Sequence, residues 1–235
     1  PDTGWVDIAS VGVLNNLGDD GEVSITLPFP ILYQNTQVTD ITIGSNGAIL
    51  MSPGLQVGFT NGNMAGAQDG LYPFWDDLWT EQAGQGVYYH TIGTAPNQIF
   101  IVQWNKNHIS GDPNLTYIFQ LQIHQATNEI YFVYDDIAPG NAGQDYGASA
   151  TIGAAGPNSD VEVSFNDPQY LTDETCVNFY YTNCARPVNY AVSYTTTSEG
   201  AITWNAGPAN ETEWQVIYGP EGFDPQTGGT SLIVN

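Results

Sequence analysis

Residues 70–137 read GLYPFWDDLWTEQAGQGVYYHTIGTAPNQIFIVQWNKNHISGDPNLTYIFQLQIHQATNEIYFVYDDI, and almost every segment in this stretch is a strand pattern followed by a turn signal. In NQIFIVQW, Ile99 and Ile101 fall on one face and Phe100, Val102 and Trp104 on the other. A strand apolar on both sides is covered on both sides, so 97–104 is expected at the centre of a sheet. YIFQLQIH alternates instead: Tyr117, Phe119, Leu121 and Ile123 face a core, while Gln120, Gln122 and His124 form a wet face. After the turn Gln125–Asn128, Ile130, Phe132 and Tyr134 return to the same core. Three of the six tryptophans, Trp75, Trp79 and Trp104, lie in this stretch, which marks it as structural centre.

The flanks repeat the pattern. EVSITLPFPILY (22–33) places Val23, Ile25 and Leu27 on one face. Pro28 and Pro30 then withhold two ladder donors, the mark of a strand end or sheet edge. VTDITIGSNGAILM (38–51) is a hairpin about Ser45-Asn46-Gly47, since Asn-Gly tolerates positive φ. ATIGAAG and DVEVSF are two further short strands, and 167–186 is expected to be an aromatic loop. No helix of three turns is credible anywhere. The fold class is therefore all-β: an antiparallel β-sandwich over 1–186, then a smaller unit over 187–235 with strand patterns at 190–195, 201–204, 214–218 and 231–234.

Charge narrows function. Twenty-five Asp and Glu face two basic residues, Lys106 and Arg186, for a formal net charge of −23. Such a field repels nucleic acid and anionic lipid. Solubility in salty water, divalent cation binding and compositional drift in a secreted protein all account for the acidity. No run of 18 apolar residues is present, so no membrane insertion is expected. Cys176 and Cys184, in CVNFYYTNC, are spaced for a local loop-closing disulfide in an oxidising compartment. The chain opens on Pro1 without Met, which fits a processed or excised piece of an exported protein.

Candidate chemistry is sparse. Asp76-Asp77 and Asp135-Asp136 each close a strand, and neighbouring residues on a strand point to opposite faces, so without a bulge neither pair can flank one sugar as paired catalytic carboxylates. Capping the strand end is the simpler role; calcium ligation at Asp76, Asp77, Asp135 and Asp136 is the functional alternative. Asp19, Asp20 and Glu22 read as a solvated turn, a weaker calcium candidate without the longer loop spacing. His90, His108 and His124 are scattered and no Gly-x-Ser-x-Gly elbow exists, so no triad is assigned. Lys106, the only lysine, reads as an ordinary, partly exposed side chain, with an intramolecular isopeptide bond as the alternative. Tyr88, Tyr89 and Tyr146, like Tyr170, Tyr180 and Tyr181, lie beside amides and acids, an arrangement suited to sugar faces; filling the core is the competing role. The sequons at Asn114 and Asn210 are too short to establish glycosylation.

The block PFWDDL, GVYYH, NQIFIVQW, Phe119-Gln120 and the strand ending Tyr134-Asp135-Asp136 resembles a β-sandwich module of large exported surface proteins of Bacteroidetes-type bacteria. It is more distantly similar to the NIDO domain of nidogen and tectorin-type extracellular proteins; the likeness covers roughly residues 1–185. From Pro187 the chain resembles the first half of a fibronectin type III domain, an Ig-like sandwich. Trp204 stands at the strand B core tryptophan and Tyr218 at the strand C tyrosine. Half such a domain leaves an open edge and face, so either the sequence is cut short or a neighbouring chain completes it. These resemblances imply a non-catalytic, adhesin-like module at the cell surface or outside the cell, binding a glycan or protein. Two alternatives are a structural subunit of an extracellular filament or layer, partnered by copies of itself, and an accessory module of a secreted hydrolase.

Overall fold

Period-two alternation resolves into seventeen strands in a computed structural model that describes residues 4–80, 83–108, 114–179, 188–194, 200–205, 214–218 and 230–234. They are β1 (Val13–Asn15), β2 (Glu22–Tyr33), β3 (Thr36–Gly44), β4 (Ala48–Leu50), β5 (Gly70–Trp75), β6 (Leu78–Trp79), β7 (Gly86–Ile92), β8 (Ile99–His108), β9 (Tyr117–His124), β10 (Ile130–Asp136), β11 (Thr151–Ala155), β12 (Val161–Phe165), β13 (Thr175–Phe179), β14 (Val188–Tyr194), β15 (Gly200–Asn205), β16 (Trp214–Tyr218) and β17 (Thr230–Val234). The chain divides into two compact units, 1–180 and 181–235. Among the described residues no helix is long and apolar enough to cross a membrane.

The first unit is an antiparallel sandwich. One sheet runs β1-β7-β8-β9-β10-β13, with β6 also pairing β8; the other runs β12-β11-β5-β4-β3-β2. As its two-sided pattern requires, β8 is central, with β7 and β9 as neighbours. β2 is an edge strand, and its pairing with β3 slips between Thr26 and Ile31, across the two prolines. Between the sheets, Phe100, Val102, Trp104, Phe119, Leu121 and Phe132 meet Ile41, Ile43, Ile49, Leu71, Phe74 and Ile152 in one core. Trp104 stacks on Phe119 at 5.3 Å and donates its Nε1–H across the sandwich to the Gly44 carbonyl at 2.8 Å. Tyr134 makes a second such link, its hydroxyl donating to Pro73 O at 2.8 Å.

The hairpin β3–β4 turns at Ser45-Asn46-Gly47 as the dipeptide demands. Gly47 has φ +71° and a Cβ there would lie 1.9 Å from Phe74 O, so both conformation and space require glycine.

Three expectations are corrected. First, the face carrying Gln120 and Gln122 is not wet: Gln103, Gln120 and Gln122 are 1 %, 0 % and 3 % exposed, beneath residues 4–8. A polar face can be buried when what covers it is backbone that needs hydrogen bonds. Gln122 Nε2 donates to Gly4 O (2.7 Å), Gln120 Nε2 to Val6 O (2.5 Å), and Ile8 N donates to Gln103 Oε1 (2.9 Å). The amides also bond one another, Gln120 Nε2 to Gln103 Oε1 (2.8 Å) and Gln122 Nε2 to Gln120 Oε1 (3.0 Å). Ile8 packs on Tyr88 and Ile101 beneath the same segment. Only His124, at the end of the row, is half-buried, tilted against Tyr131 with ring centroids 4.8 Å apart and its pKa lowered chiefly by burial.

Second, residues 167–186 are not all loop. β13 adds to the edge of β10, its Val177 and Phe179 packing on the core and Cys176 exposed. Cys184 lies outside the described residues, as does the expected disulfide. Third, Lys106 is fully buried rather than partly exposed.

The opposite outer face is covered too. Val57 and Met64, from the loop 51–69, pack on Ala48, Leu50, Tyr72 and Ala155, and Trp75 Nε1 donates to Gly58 O at 2.6 Å.

The second unit contains two antiparallel pairs among its described residues, β14 with β15 and β16 with β17. Trp204 and Tyr218 fall on β15 and β16 as expected, but their side chains lie outside the described residues.

Candidate functional site

The acidic pair lies in the bend between β5 and β6, and its two side chains part there. Asp76 turns inward and is buried, accepting Ser149 Oγ at Oδ2 (2.6 Å) and the Asp77 N–H at Oδ1 (2.9 Å). Asp77 turns the other way, toward the turn before β2. There Asp19, Asp20 and Asp77 each bring a carboxylate oxygen within 4.8 Å of the others. Asp20 and Asp77 are far apart in sequence, and Asn46 holds them in register. Its Nδ2 donates to Asp20 Oδ1 (2.8 Å) and Val57 O (3.2 Å), while its Oδ1 accepts the Leu78 N–H (2.9 Å). Ser45 and Gly21 exchange two further bonds, Ser45 N to Gly21 O and Gly21 N to Ser45 Oγ.

Lys106 approaches this corner from inside the sandwich. Its Nζ donates to Gly18 O (2.8 Å) and Thr80 Oγ1 (2.6 Å). Burial drives its pKa down to about 7, while the Asp19 carboxylate pulls it back up. A positive charge thus already acts on the acidic corner, and it weakens as the amine loses its proton. Glu22, from the same turn, accepts the Val57 N–H and has its pKa raised, chiefly by burial.

Asp135 and Asp136 occupy a different position. The β9–β10 register slips between Tyr134 and Asp136. Asp136 Oδ1 accepts the Ala138 N–H at 3.2 Å, and Asp135 is exposed. The Asp135 pKa is raised by desolvation and then by Asp136, Asp7, Glu174 and Asp173. Asp76 and Asp136 do both act on one group: the buried Tyr117 hydroxyl, held protonated by burial and by Asp145, Asp76 and Asp136. Among the described residues, only Asp19, Asp20 and Asp77 form a three-carboxylate group of metal-binding dimensions.

The tyrosines separate as well. Tyr88 is buried, its hydroxyl donating to Gly84 O at 3.0 Å. Tyr89 is half-buried against Phe100, Tyr146 is 37 % exposed at φ +57°, and Tyr170 is 64 % exposed. Beside Gly84 opens a cleft of about 410 Å³ lined by Gln85, Asn105, Asn114, Thr116 and Ile118. Gln85 Nε2 donates to Thr116 Oγ1 there at 3.1 Å. Amides and a hydroxyl on an open cleft offer paired donors and acceptors. The sequence marked only Asn114 here, and only as a sequon.

This sandwich, with its β8 centre and its buried Asp76 behind the Phe-Trp run, is matched by the family model described as NIDO related over residues 2–207. The chain belongs to the NIDO-related family. Membership suggests an extracellular-type module. The NIDO-related match runs through β14 and β15, beyond the expected boundary at 186. Comparison with curated proteins and with solved structures gives no match.

Proposed function

We propose that this chain is a non-catalytic recognition module of an exported, cell-surface or extracellular protein, binding a glycan or protein ligand. Membership of the NIDO-related family over 2–207 is the observation that carries this reading. The described carboxylates support it: Asp76, Asp136 and Asp145 spend oxygens on backbone or hydroxyl donors, as strand and loop caps do. The amide-lined cleft at Gln85, Asn105, Asn114 and Thr116 is the preferred ligand seat, in place of Tyr88. Calcium is the cofactor proposed for Asp19, Asp20 and Asp77, because hard oxygen donors suit it.

A glycan array probed with and without chelator tests the recognition reading. Binding is expected to fall by about three- to tenfold in Asn114→Ala, the net worth of one lost hydrogen bond. Silence across a broad array, together with no protein captured from a matching cell surface, sinks it. Separately, millimolar calcium should raise the Tm by a few degrees, as a ligand of the native state does by mass action, and Asp20→Asn should abolish the rise. An equal rise with matched ionic strength of sodium chloride would reduce the corner to simple charge screening.

A further inference from the structure

The segment 4–8 is attached to the sandwich in an unusual way. It takes part in no β-ladder; side-chain amides supply its hydrogen bonds to the sheet. Gln122 and Gln120 lie two residues apart on β9, and their partners Gly4 and Val6 are also two apart, in the opposite chain direction. Two residues of an extended chain repeat at about 6.5–7 Å on either side, so the amide row and the bound segment share one period. At Ile8 the row steps across to Gln103 on β8, the cross-strand partner of Gln120. A carboxamide carries the donor and acceptor of a peptide group, so the row mimics a strand edge on what is otherwise a sheet face. It reads main chain. Side-chain selection rests chiefly on two points: Ile8, fully buried on Tyr88 and Ile101 with Val6 packed alongside, and Asp7, whose Oδ1 accepts Gln103 Nε2 at 3.0 Å.

Such a surface fits an extended polypeptide and little else. The geometry points to a receptor groove for extended chain, filled here by the protein's own residues 4–8 and open to the same segment of a second copy. The second copy is the occupant that satisfies both selective points by construction, carrying Asp7 and Ile8 in register. The hinge is in place: Val11 N and Gly12 N both turn back to Ile8 O, and a side chain at Gly12 would press on that oxygen at 2.9 Å. Val11 in the hinge, and Val13 and Leu14 on the edge strand β1 directly beyond it, expose 62 %, 52 % and 52 % of their surface. Segment exchange about this hinge brings two β1 edges together and takes those side chains out of water.

The test uses the full chain and a fluorescent synthetic peptide of residues 1–12, read by anisotropy, with sedimentation velocity alongside. Saturable peptide binding is expected, with a dimer that grows with protein concentration. Ile8→Ala in the full chain loosens the resident segment and should tighten apparent peptide binding by about tenfold, because a larger fraction of grooves stands open. Gln120→Leu should remove both peptide binding and the dimer; Gln122→Leu, nearer the end of the row, replaces it if Gln120→Leu does not melt cooperatively. Absence of binding at millimolar peptide, no tightening in Ile8→Ala, or undiminished binding in the glutamine variant overturns the groove. Peptide binding by a chain that stays monomeric at every concentration overturns the second copy as its occupant.

Discussion

Trp104→Ala is expected to lower the unfolding free energy by about 3–5 kcal/mol, the usual cost of emptying an aromatic site in a packed core. A domain holds only roughly 5–15 kcal/mol in all, so the variant should be partly unfolded at 37 °C or fail to accumulate. The site explains the size. Trp104 is fully buried, stacked on Phe119, and bonded across the sandwich to Gly44 O, so its loss removes apolar contact from both sheets and strands a buried carbonyl. Trp104→Phe separates the two contributions: it keeps a ring against Phe119 and gives up the bond, at about 1–2 kcal/mol beyond the lost volume. Urea unfolding followed by circular dichroism measures both. A loss under about 1 kcal/mol for the alanine variant would show that Trp104 does not join the sheets.

Lys106 should make stability rise with pH across a range where most proteins are flat. Its folded pKa is brought down to about 7, whereas the same amine in the unfolded chain holds its proton to about pH 10. Between those values the unfolded state binds more protons than the folded one, and the slope of unfolding free energy with pH is positive. The full gain is about 4–5 kcal/mol as an upper figure, at 1.36 kcal/mol per unit. Above pH 10 the sign reverses: Tyr33, Tyr72 and Tyr117 have pKa values raised by burial, so the folded state then holds protons the unfolded state releases. The Tm should therefore climb from pH 7 to about 9.5 and fall beyond. In Lys106→Met the climb should vanish while the alkaline fall remains. A climb that survives the substitution would assign it to another group.

The apolar half of this fold was legible in the sequence. Strand parity placed β8 at the centre and put Phe119, Leu121, Phe132 and Tyr134 in the core, and Pro28 and Pro30 gave β2 an edge. What misled was polarity. Gln120 and Gln122 alternate with apolar residues as solvent-facing side chains do, and nothing local announces that a segment more than a hundred residues away will lie on them. Lys106 has the same origin: its burial depends on the Gly18 carbonyl and Thr80, both remote in sequence. β13 was obscured because Cys176 and Asn178 point outward and leave only Val177 and Phe179 as its apolar signal. At the acidic corner, Asp19, Asp20 and Asp77 were each marked, yet their meeting depends on Asn46, which announced itself only as a turn residue.

The middle of each broad side of the sandwich comes already clothed, one by residues 4–8 on an amide lining and the other by the loop 51–69. Over those middles, bare sheet is not offered for flat stacking against another protein. Whatever meets this module has its rims and its strand edges to hold, so contacts would be made edge to edge rather than face to face.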